Sequence, residues 1–222
     1  YNRHGRRDNK YKARIKILVS ELGLEEYRRE VEEEFAAQNT WEKVVLPQEE
    51  IDRITAYFAP PKFETLPATS AAFEAFKAES REHARWAKNN LRTHRAPGYT
   101  SVHIALKQQG EAPGDATSDQ MRAMADIGER YGVDDIRVAH EQDVVLPHVK
   151  LDDVPAVYAA LKAAGLHASN AGLGSDIIAC PGLDYCNLSN ARSISVANEI
   201  QAVFADPEFE DEVGTLHVNV SG

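Results

Sequence analysis

Two cysteines are the residues of this sequence with the most specific chemistry. Cys180 and Cys186 are separated by five residues in the segment ACPGLDYCNLSNARS, and the 222-residue chain contains two cysteines in all. Thiolates bind zinc and iron–sulfur clusters, whereas thiols can also pair as a disulfide or stay free in the interior. The spacing leaves these three interpretations open. A four-iron cluster takes about four thiolates, so this pair does not complete such a site by itself.

A basic segment near the start of the chain is the second chemical feature. The first sixteen residues hold seven basic side chains and one acidic side chain, although the whole chain has a net charge of −10. Apolar and basic residues alternate over residues 11–19, YKARIKILV, which predicts a strand with one apolar and one cationic face. Such a strand suits a polyanionic ligand, but it also suits a solvated surface or a nucleic-acid-binding arm.

The composition is that of an ordinary water-soluble protein. Hydrophobic residues make up 43% of the chain and charged residues 27%, and no apolar run has the length of a membrane span. The length predicts one large or two small domains. The chain begins at Tyr1 and shows no export signal, so we expect a processed or excised piece of a cytoplasmic protein.

The periodicity of the apolar residues predicts helices and strands in a mixed order. Helices are expected over residues 21–37, 48–57, 70–92, 119–131 and 152–164, and strands over 99–107, 134–140, 143–149 and around 166–171. From residue 99 onwards the order is β-α-β-β-α. This order predicts an antiparallel sheet with helices on one face, which is the ferredoxin-like arrangement.

Individual side chains give more detailed expectations. Thr117 or Ser118 should cap the helix over 119–131, and Gly132 should end it. Inward-facing positions of that helix should be Met121, Met124, Ala125 and Ile127. Sheet positions should include Val102, Ile104, Leu106, Ile136, Val138, Val145 and Leu146. A last helix should begin near Cys186 and run to about Phe204.

Three segments together resemble the siroheme-dependent sulfite and nitrite reductase hemoprotein family. CPGLDYCNLSNARS is similar to the first cysteine pair of that family, and LHVNVSG is similar to the strand before its second pair. GRRDNKYKARIKILV and ELGLEEYRREVEEEF resemble the basic strand and helix between its two pseudo-symmetric halves. HEQDVVLPHVKLDDVPAVYAALKAAGL resembles its second ferredoxin-like half domain. Residues 38–95 have no counterpart beyond a helical insert.

The resemblance implies a siroheme and a four-iron four-sulfur (4Fe-4S) cluster in the complete protein. It implies that Cys180 and Cys186 are the first two cluster ligands and that Gln142 contacts siroheme. Siroheme carries many carboxylates, which would pair with the basic groups of Arg7 and Arg14, and also of Lys10. The second cysteine pair and the substrate-binding arginines and lysines of the family have no match here. The chain alone is therefore expected to bind no cofactor and to be inactive, and its catalytic residues are unknown.

The resemblance also implies a domain division and an activity. Residues 1–95 would belong to the first siroheme/iron–sulfur domain, 96–170 to a ferredoxin-like half domain, and 171–222 to the second siroheme/iron–sulfur domain. The fold class is thus α+β, a ferredoxin-like half domain plus part of the siroheme/iron–sulfur α/β domain. The complete protein would reduce sulfite or nitrite by six electrons from a donor protein or flavoprotein, without nucleic acid or membrane as a partner.

Other functions remain open at the level of the residues. A non-enzymatic ferredoxin-like binding module with a basic N-terminal arm is the main alternative, because the fold hosts many functions. A thiol redox switch usually has the spacing C-x-x-C, which is absent here. Histidines titrate near neutral pH and are acid–base candidates, but nothing in the sequence pairs His103, His140, His148 or His167.

Overall fold

The structure is a computed structural model that describes residues 4–6, 8–38 and 44–222. It divides into two compact units, Tyr1–Pro60 and Pro61–Gly222. The described part of the first unit contains the 3-10 helix Lys10–Lys12 and the helices α1 (Ile15–Leu22), α2 (Leu24–Ala37) and α3 (Gln48–Tyr57). The helix predicted over residues 48–57 is confirmed.

The strand predicted over residues 11–19 is wrong. Ile15, Leu18 and Leu22 have the spacing of one face of a helix, and Leu18 is 5% exposed. Ala13, Ile15, Ile17 and Val19 also alternate along the chain, so the sequence fits both periods. A strand needs a neighbour for its backbone groups, and the described residues of this unit form no strand that could pair with it. A helix makes those hydrogen bonds within itself.

Two predicted helices are interrupted. Gly23 has φ 84° and separates α1 from α2, so the helix expected over 21–37 begins one residue after this glycine. Ser80 is extended and divides the helix expected over 70–92 into α4 (Ala71–Glu79) and α5 (Arg81–Asn90). The hydroxyl of Ser80 accepts a hydrogen bond from the backbone N–H of His83 and thereby caps α5.

An antiparallel sheet of four strands, in the order β1-β2-β4-β3, forms the centre of the second unit. Its strands are β1 (Leu91–Thr93), β2 (Tyr99–Ile104), β3 (Arg137–Val138) and β4 (Val144–Lys150). Helix α6 (Ser118–Tyr131) follows β2, and the 3-10 helix Leu151–Asp153 leads from β4 into α7 (Val154–Ala163). The predicted α+β class is confirmed.

A single apolar core joins this sheet to its helices. Val102 of β2 stands opposite Leu146 of β4, and both are fully buried. Burial of apolar surface is the main favourable term in folding, so this core fixes the sheet against the helices around it. The core also includes Trp86 of α5, Ile104 of β2, Met124 and Ile127 of α6, Val149 of β4, and Val157 and Leu161 of α7.

Several predicted sheet positions are wrong in detail. Residues 166–171 form no strand, and β1 instead supplies the fourth strand, beside β2. Leu106 follows the end of β2, and Ile136 precedes β3. Val138 belongs to β3 but is 85% exposed. The alternating pattern extends beyond the strands because it marks which side chains face the core, not where the backbone pairing stops.

Helix α6 begins and ends as predicted. The hydroxyl of Thr117 accepts from the backbone N–H of Gln120, and the Gln120 side chain accepts from the N–H of Thr117, which completes a capping box. Gly132 is its C-cap. Of the four side chains expected to face inward, two are buried, Met124 and Ile127, and two are exposed, Met121 and Ala125.

The end of the second unit contains a smaller parallel pair, β5 (Ile178–Ala179) and β6 (Asn219–Val220). It also contains the 3-10 helix Gly182–Asp184 and the helices α8 (Ser193–Val203) and α9 (Pro207–Val213). The helix expected to begin near Cys186 therefore begins at Ser193. The segment before it forms a turn, in which the Ser189 hydroxyl donates to the carbonyl of Ala191. No helix in the described ranges is long and apolar enough to cross a membrane.

Candidate functional site

Both cysteines lie in one loop after β5. The N–H of Cys180 donates to the carbonyl oxygen of Val220 at 3.0 Å, which extends the pairing of β5 with β6 by one residue. Cys186 follows the 3-10 helix, and its N–H donates to the carbonyl of Gly182 at 2.9 Å. Both side chains are half-buried free thiols, so the two cysteines do not form a disulfide here.

The sulfur of Cys180 has two hydrogen-bonding neighbours. The N–H of Gly222 donates to Sγ at 3.1 Å. The Ser193 hydroxyl lies 3.5 Å from the same sulfur and donates to the Cys180 carbonyl at 2.5 Å. The contact with Ser193 and then that with Gly222 lower the pKa of the Cys180 thiol, because hydrogen bonds to the sulfur favour the thiolate. The thiolate is the form that binds metals.

Glycines allow the cysteine loop to close on itself. Gly182 has φ 60°, and a Cβ there would collide with the Ser193 hydroxyl and lie 2.6 Å from the carbonyl oxygen of Ala191. A Cβ at Gly222 would lie 2.6 Å from the same carbonyl oxygen and 2.9 Å from the Cα of Gly182. A side chain at either position would therefore push apart the backbone segments that surround Cys180.

Gln142 connects the sheet to the cysteine loop. Its side-chain amide donates to the carbonyl of Ala179 at 2.9 Å and accepts from the N–H of Ala179 at 3.0 Å. Ala179 directly precedes Cys180. Gln142 lies in the turn between β3 and β4 and has φ 62°, a left-handed conformation that costs a non-glycine residue about 1–2 kcal/mol. This strained turn directs its side chain at the residue before the first cysteine.

A cleft of about 840 Å³ opens beside the same residues. Its walls come from the turn after β2, from α6, from the β3–β4 turn and from the cysteine loop. Apolar side chains dominate the lining, which includes Met121, Met124, Val138, Gln142, Ala179 and Tyr185. The cleft accounts for Met121, which faces this opening and not the core. Cofactor sites are typically concave and mostly apolar, with a few polar groups, and this cleft has that character.

A buried lysine, which the sequence analysis missed, pairs with Asp143, one of the residues that line the cleft. The side chain of Lys107 is 0% exposed, and its Nζ lies 2.9 Å from Asp143 Oδ1 and 3.5 Å from Asp176 Oδ1. Burial raises the pKa of both carboxyl groups, because a low-dielectric interior disfavours the charged form. The signal in the sequence was weak, since a lysine at the end of a strand usually reaches solvent.

The three basic residues predicted to bind siroheme belong to the other unit. Arg7 lies outside the described residues. Lys10 begins the 3-10 helix Lys10–Lys12, and Arg14 is the exposed N-cap residue of α1. Gln142 and the two cysteines lie together in the second unit, so the structure brings these three predicted site residues close to one another.

Two of the four candidate histidines have a charged or polar partner at a ring nitrogen, His148 and His167, and Nε2 of His167 lies 4.0 Å from Glu82 Oε1. His148 Nδ1 lies 3.0 Å from His94 Nε2, and its Nε2 lies 3.6 Å from Asp135. Burial and then the neighbouring His94 lower the pKa of His148. Burial likewise lowers the pKa of His103. Neither residue lines the cleft.

The donor set fits half of a four-iron cluster. Cys180 and Cys186 supply two of the about four thiolates that such a cluster takes. Across residues 4–6, 8–38 and 44–222, no group of three or more His, Cys, Asp or Glu side chains is arranged to hold a metal ion. Further thiolate ligands would have to come from outside this chain, which has two cysteines.

Comparison with known protein families gives two matches. Residues 1–39 match the nitrite and sulphite reductase 4Fe-4S domain, and residues 94–164 match the nitrite/sulfite reductase ferredoxin-like half domain. A ferredoxin–nitrite reductase of Synechococcus elongatus is 22% identical over 205 residues, which is 90% of this chain and 32% of the relative. The "Sulfite reductase [ferredoxin] 2" of Mycolicibacterium paratuberculosis is 28% identical over 131 residues, 56% of this chain and 23% of the relative.

A solved structure has the same fold. The structure titled "Structure of Mycobacterium tuberculosis NirA protein" superposes with a TM-score of 0.56 at 20% sequence identity. The match covers 97% of this chain and 33% of that chain. The chain therefore spans about a third or less of the proteins that it resembles.

Proposed function

Because this chain belongs to the siroheme-dependent sulfite and nitrite reductase family, we propose that it is part of a sulfite or nitrite reductase. In the complete protein, Cys180 and Cys186 supply the first two ligands of a 4Fe-4S cluster. The 222 residues alone lack the remaining thiolates, so they bind neither cofactor and are inactive. We also propose that the domain boundaries lie at residues 95/96 and 170/171.

One observation carries this proposal: the cleft and the cysteine loop meet at Gln142 and Ala179. The cleft is large and mostly apolar, which suits a flat macrocycle beside the cluster. Gln142 uses one hydrogen and one lone pair of its amide on Ala179. An amide has two donors and two acceptor positions, so Gln142 keeps one of each for a ligand in the cleft.

The residues of the chain would hold the cofactors in place and shield them from water. When bound, the cofactors would supply the electron transfer and the binding of the substrate anion. Gln142 would orient the macrocycle, and Tyr185 with the methionines of α6 would exclude water from the cleft. Basic groups would compensate the carboxylates of siroheme, and Arg7, Lys10 and Arg14 are the candidates that the resemblance implies. A dry, shaped site strengthens each of these interactions.

The substrate and the donor follow from the relatives. Those relatives are named ferredoxin–nitrite reductase and sulfite reductase [ferredoxin], so we propose nitrite or sulfite as the substrate and a ferredoxin as the electron donor. Reduction by six electrons would give ammonia or sulfide. These assignments apply to the complete protein.

Purification of the complete protein under anaerobic conditions tests the proposal. We expect a heme-like visible spectrum, about four irons per chain outside the siroheme, and reduction of nitrite or sulfite by reduced ferredoxin. The 222-residue chain, treated in the same way, should stay colourless and is the matched control. A complete protein without iron and without a heme-like spectrum would refute the proposal.

A further inference from the structure

Lys107 is held on all sides by groups of the protein. Besides the two carboxylates, its Nζ donates to the carbonyl oxygen of Glu141 at 2.6 Å and lies 3.4 Å from that of Gln142. Its own carbonyl oxygen accepts from the side-chain amide of Gln201 at 3.0 Å. An ammonium group has three hydrogens, and three of these contacts are hydrogen bonds, to Glu141, Gln142 and Asp143. Asp176 adds an ion-pair contact at 3.5 Å. The lysine is thus a fixed cross-link and not a loose surface charge.

The cross-link acts on the strained turn that carries Gln142. Nζ holds the carbonyl oxygens of Glu141 and Gln142, and also the carboxylate of Asp143, the residue that follows. The Asp143 carboxylate also accepts from the N–H of Leu106 at 3.1 Å. A left-handed non-glycine residue persists where its surroundings over-determine it, and these contacts are such surroundings.

A second arm of the cross-link reaches β5 by a separate route. Asp176, which pairs with Nζ, stands two residues before β5 and accepts from the N–H of Gly172 at 2.7 Å. The first arm ends on Ala179 through the Gln142 amide. Both arms therefore fix the short strand that leads into Cys180.

We propose that Lys107 is a positioning residue that sets the place of Cys180, and this inference rests on the proposed function of that cysteine. A buried ion pair seldom stabilises a fold more than apolar residues of the same volume would, so stability alone does not explain the lysine. Its contacts fix the geometry of a loop that must present a thiolate at a defined point. Metal ligands depend on such supporting contacts for their orientation.

Variants that separate charge from position test the inference. Lys107→Met leaves two carboxylates unpaired and is expected to destabilise the fold. The triple variant Lys107→Met/Asp143→Asn/Asp176→Asn removes all the charges and should recover stability. It still lacks the donor to the carbonyls of the turn. We expect the cysteine loop to stay loose in the triple variant although the fold is restored.

Amide hydrogen exchange of the 222-residue chain measures how firmly the cysteine loop is held. In the triple variant, exchange of the N–H groups of Ala179 and Cys180 should rise more than about tenfold, while that of β2 and β4 should change less than about twofold. Lys150→Met is the control, because Lys150 pairs with Glu64 at the surface, and it should leave both sets unchanged. Unchanged exchange at Ala179 and Cys180 in the triple variant would overturn the inference.

Cofactor assembly in the complete protein provides the second readout. Anaerobically purified triple variant should hold less than about half of the iron of the unaltered protein, while Lys150→Met holds the same amount. Equal iron in the triple variant would overturn the inference. If the unaltered protein holds no iron, the proposed function fails, and the exchange experiment still decides whether Lys107 positions the loop.

Discussion

Gln142→Ala removes the two hydrogen bonds that join the β3–β4 turn to the cysteine loop. Each bond contributes about 1 kcal/mol, and a buried backbone group left without a partner costs about 1–3 kcal/mol. Ala179, which receives both bonds, is 4% exposed. We therefore expect the free energy of unfolding to fall by about 2–4 kcal/mol, while the left-handed strain at residue 142 remains.

Gln142→Gly is the matched variant. It loses the same two bonds, but glycine adopts φ 62° without strain. It should therefore be about 1 kcal/mol more stable than Gln142→Ala. Val133 has φ 57° and is 46% exposed, so Val133→Gly tests relief of the same backbone strain away from the cysteine loop.

Urea unfolding of the three variants, followed by circular dichroism, measures these differences. The expected order of stability places Gln142→Ala below Gln142→Gly, and both below the unaltered chain. Hydrogen exchange at Ala179 should accelerate in both Gln142 variants and stay unchanged in Val133→Gly. If Gln142→Ala changed the free energy of unfolding by less than about 0.5 kcal/mol, the amide bridge would not fix β5, and the reasoning would be refuted.

Three further predictions concern single side chains. Gly182→Ala should lower the free energy of unfolding by more than about 2 kcal/mol because its Cβ collides with Ser193. Gly110 has φ 82° and open space around it, so Gly110→Ala should cost about 1 kcal/mol. Equal losses of the two variants in urea unfolding would contradict this prediction. Burial raises the pKa of Asp176 above its ordinary 3.8. The folded chain therefore keeps this proton to a higher pH than the unfolded chain does, and the free energy of unfolding falls as the pH rises from 3.8 through the raised pKa. Asp176→Asn should flatten this slope, and an unchanged slope would contradict the prediction. Thr117→Ala should cost about 1 kcal/mol by removing the capping box, seen as a lower melting temperature, and an unchanged one would contradict the role.

Elements with strong local signals could be predicted from the sequence. The cap candidates Thr117 and Ser118 and the glycine at residue 132 predicted both ends of α6, and the structure shows Thr117 as the cap. The alternation over 99–107 gave β2, although the strand ends at Ile104. Residues 11–19 were predicted as a strand, and this was wrong, because their apolar residues fit both a helix and a strand and only a partner strand would decide between the two.

The site was visible in part. The cysteine pair stood out by residue type, and its role, like that of Gln142, came from the resemblance to the family. Lys107 could not be found, because its burial depends on Asp143 and Asp176, which the fold brings to it from distant loops. The cleft was equally hidden, since it forms between segments that are far apart in the chain.

Iron content of the complete protein with Cys180→Ser tests the central claim most directly. The account predicts that this variant assembles no 4Fe-4S cluster and loses reductase activity, because a cluster ligand is missing. Asn187→Ser, an exposed change on the same loop, should keep both the cluster and the activity. A Cys180→Ser protein with a normal four-iron cluster would contradict the ligand assignment and, with it, the proposed reductase function.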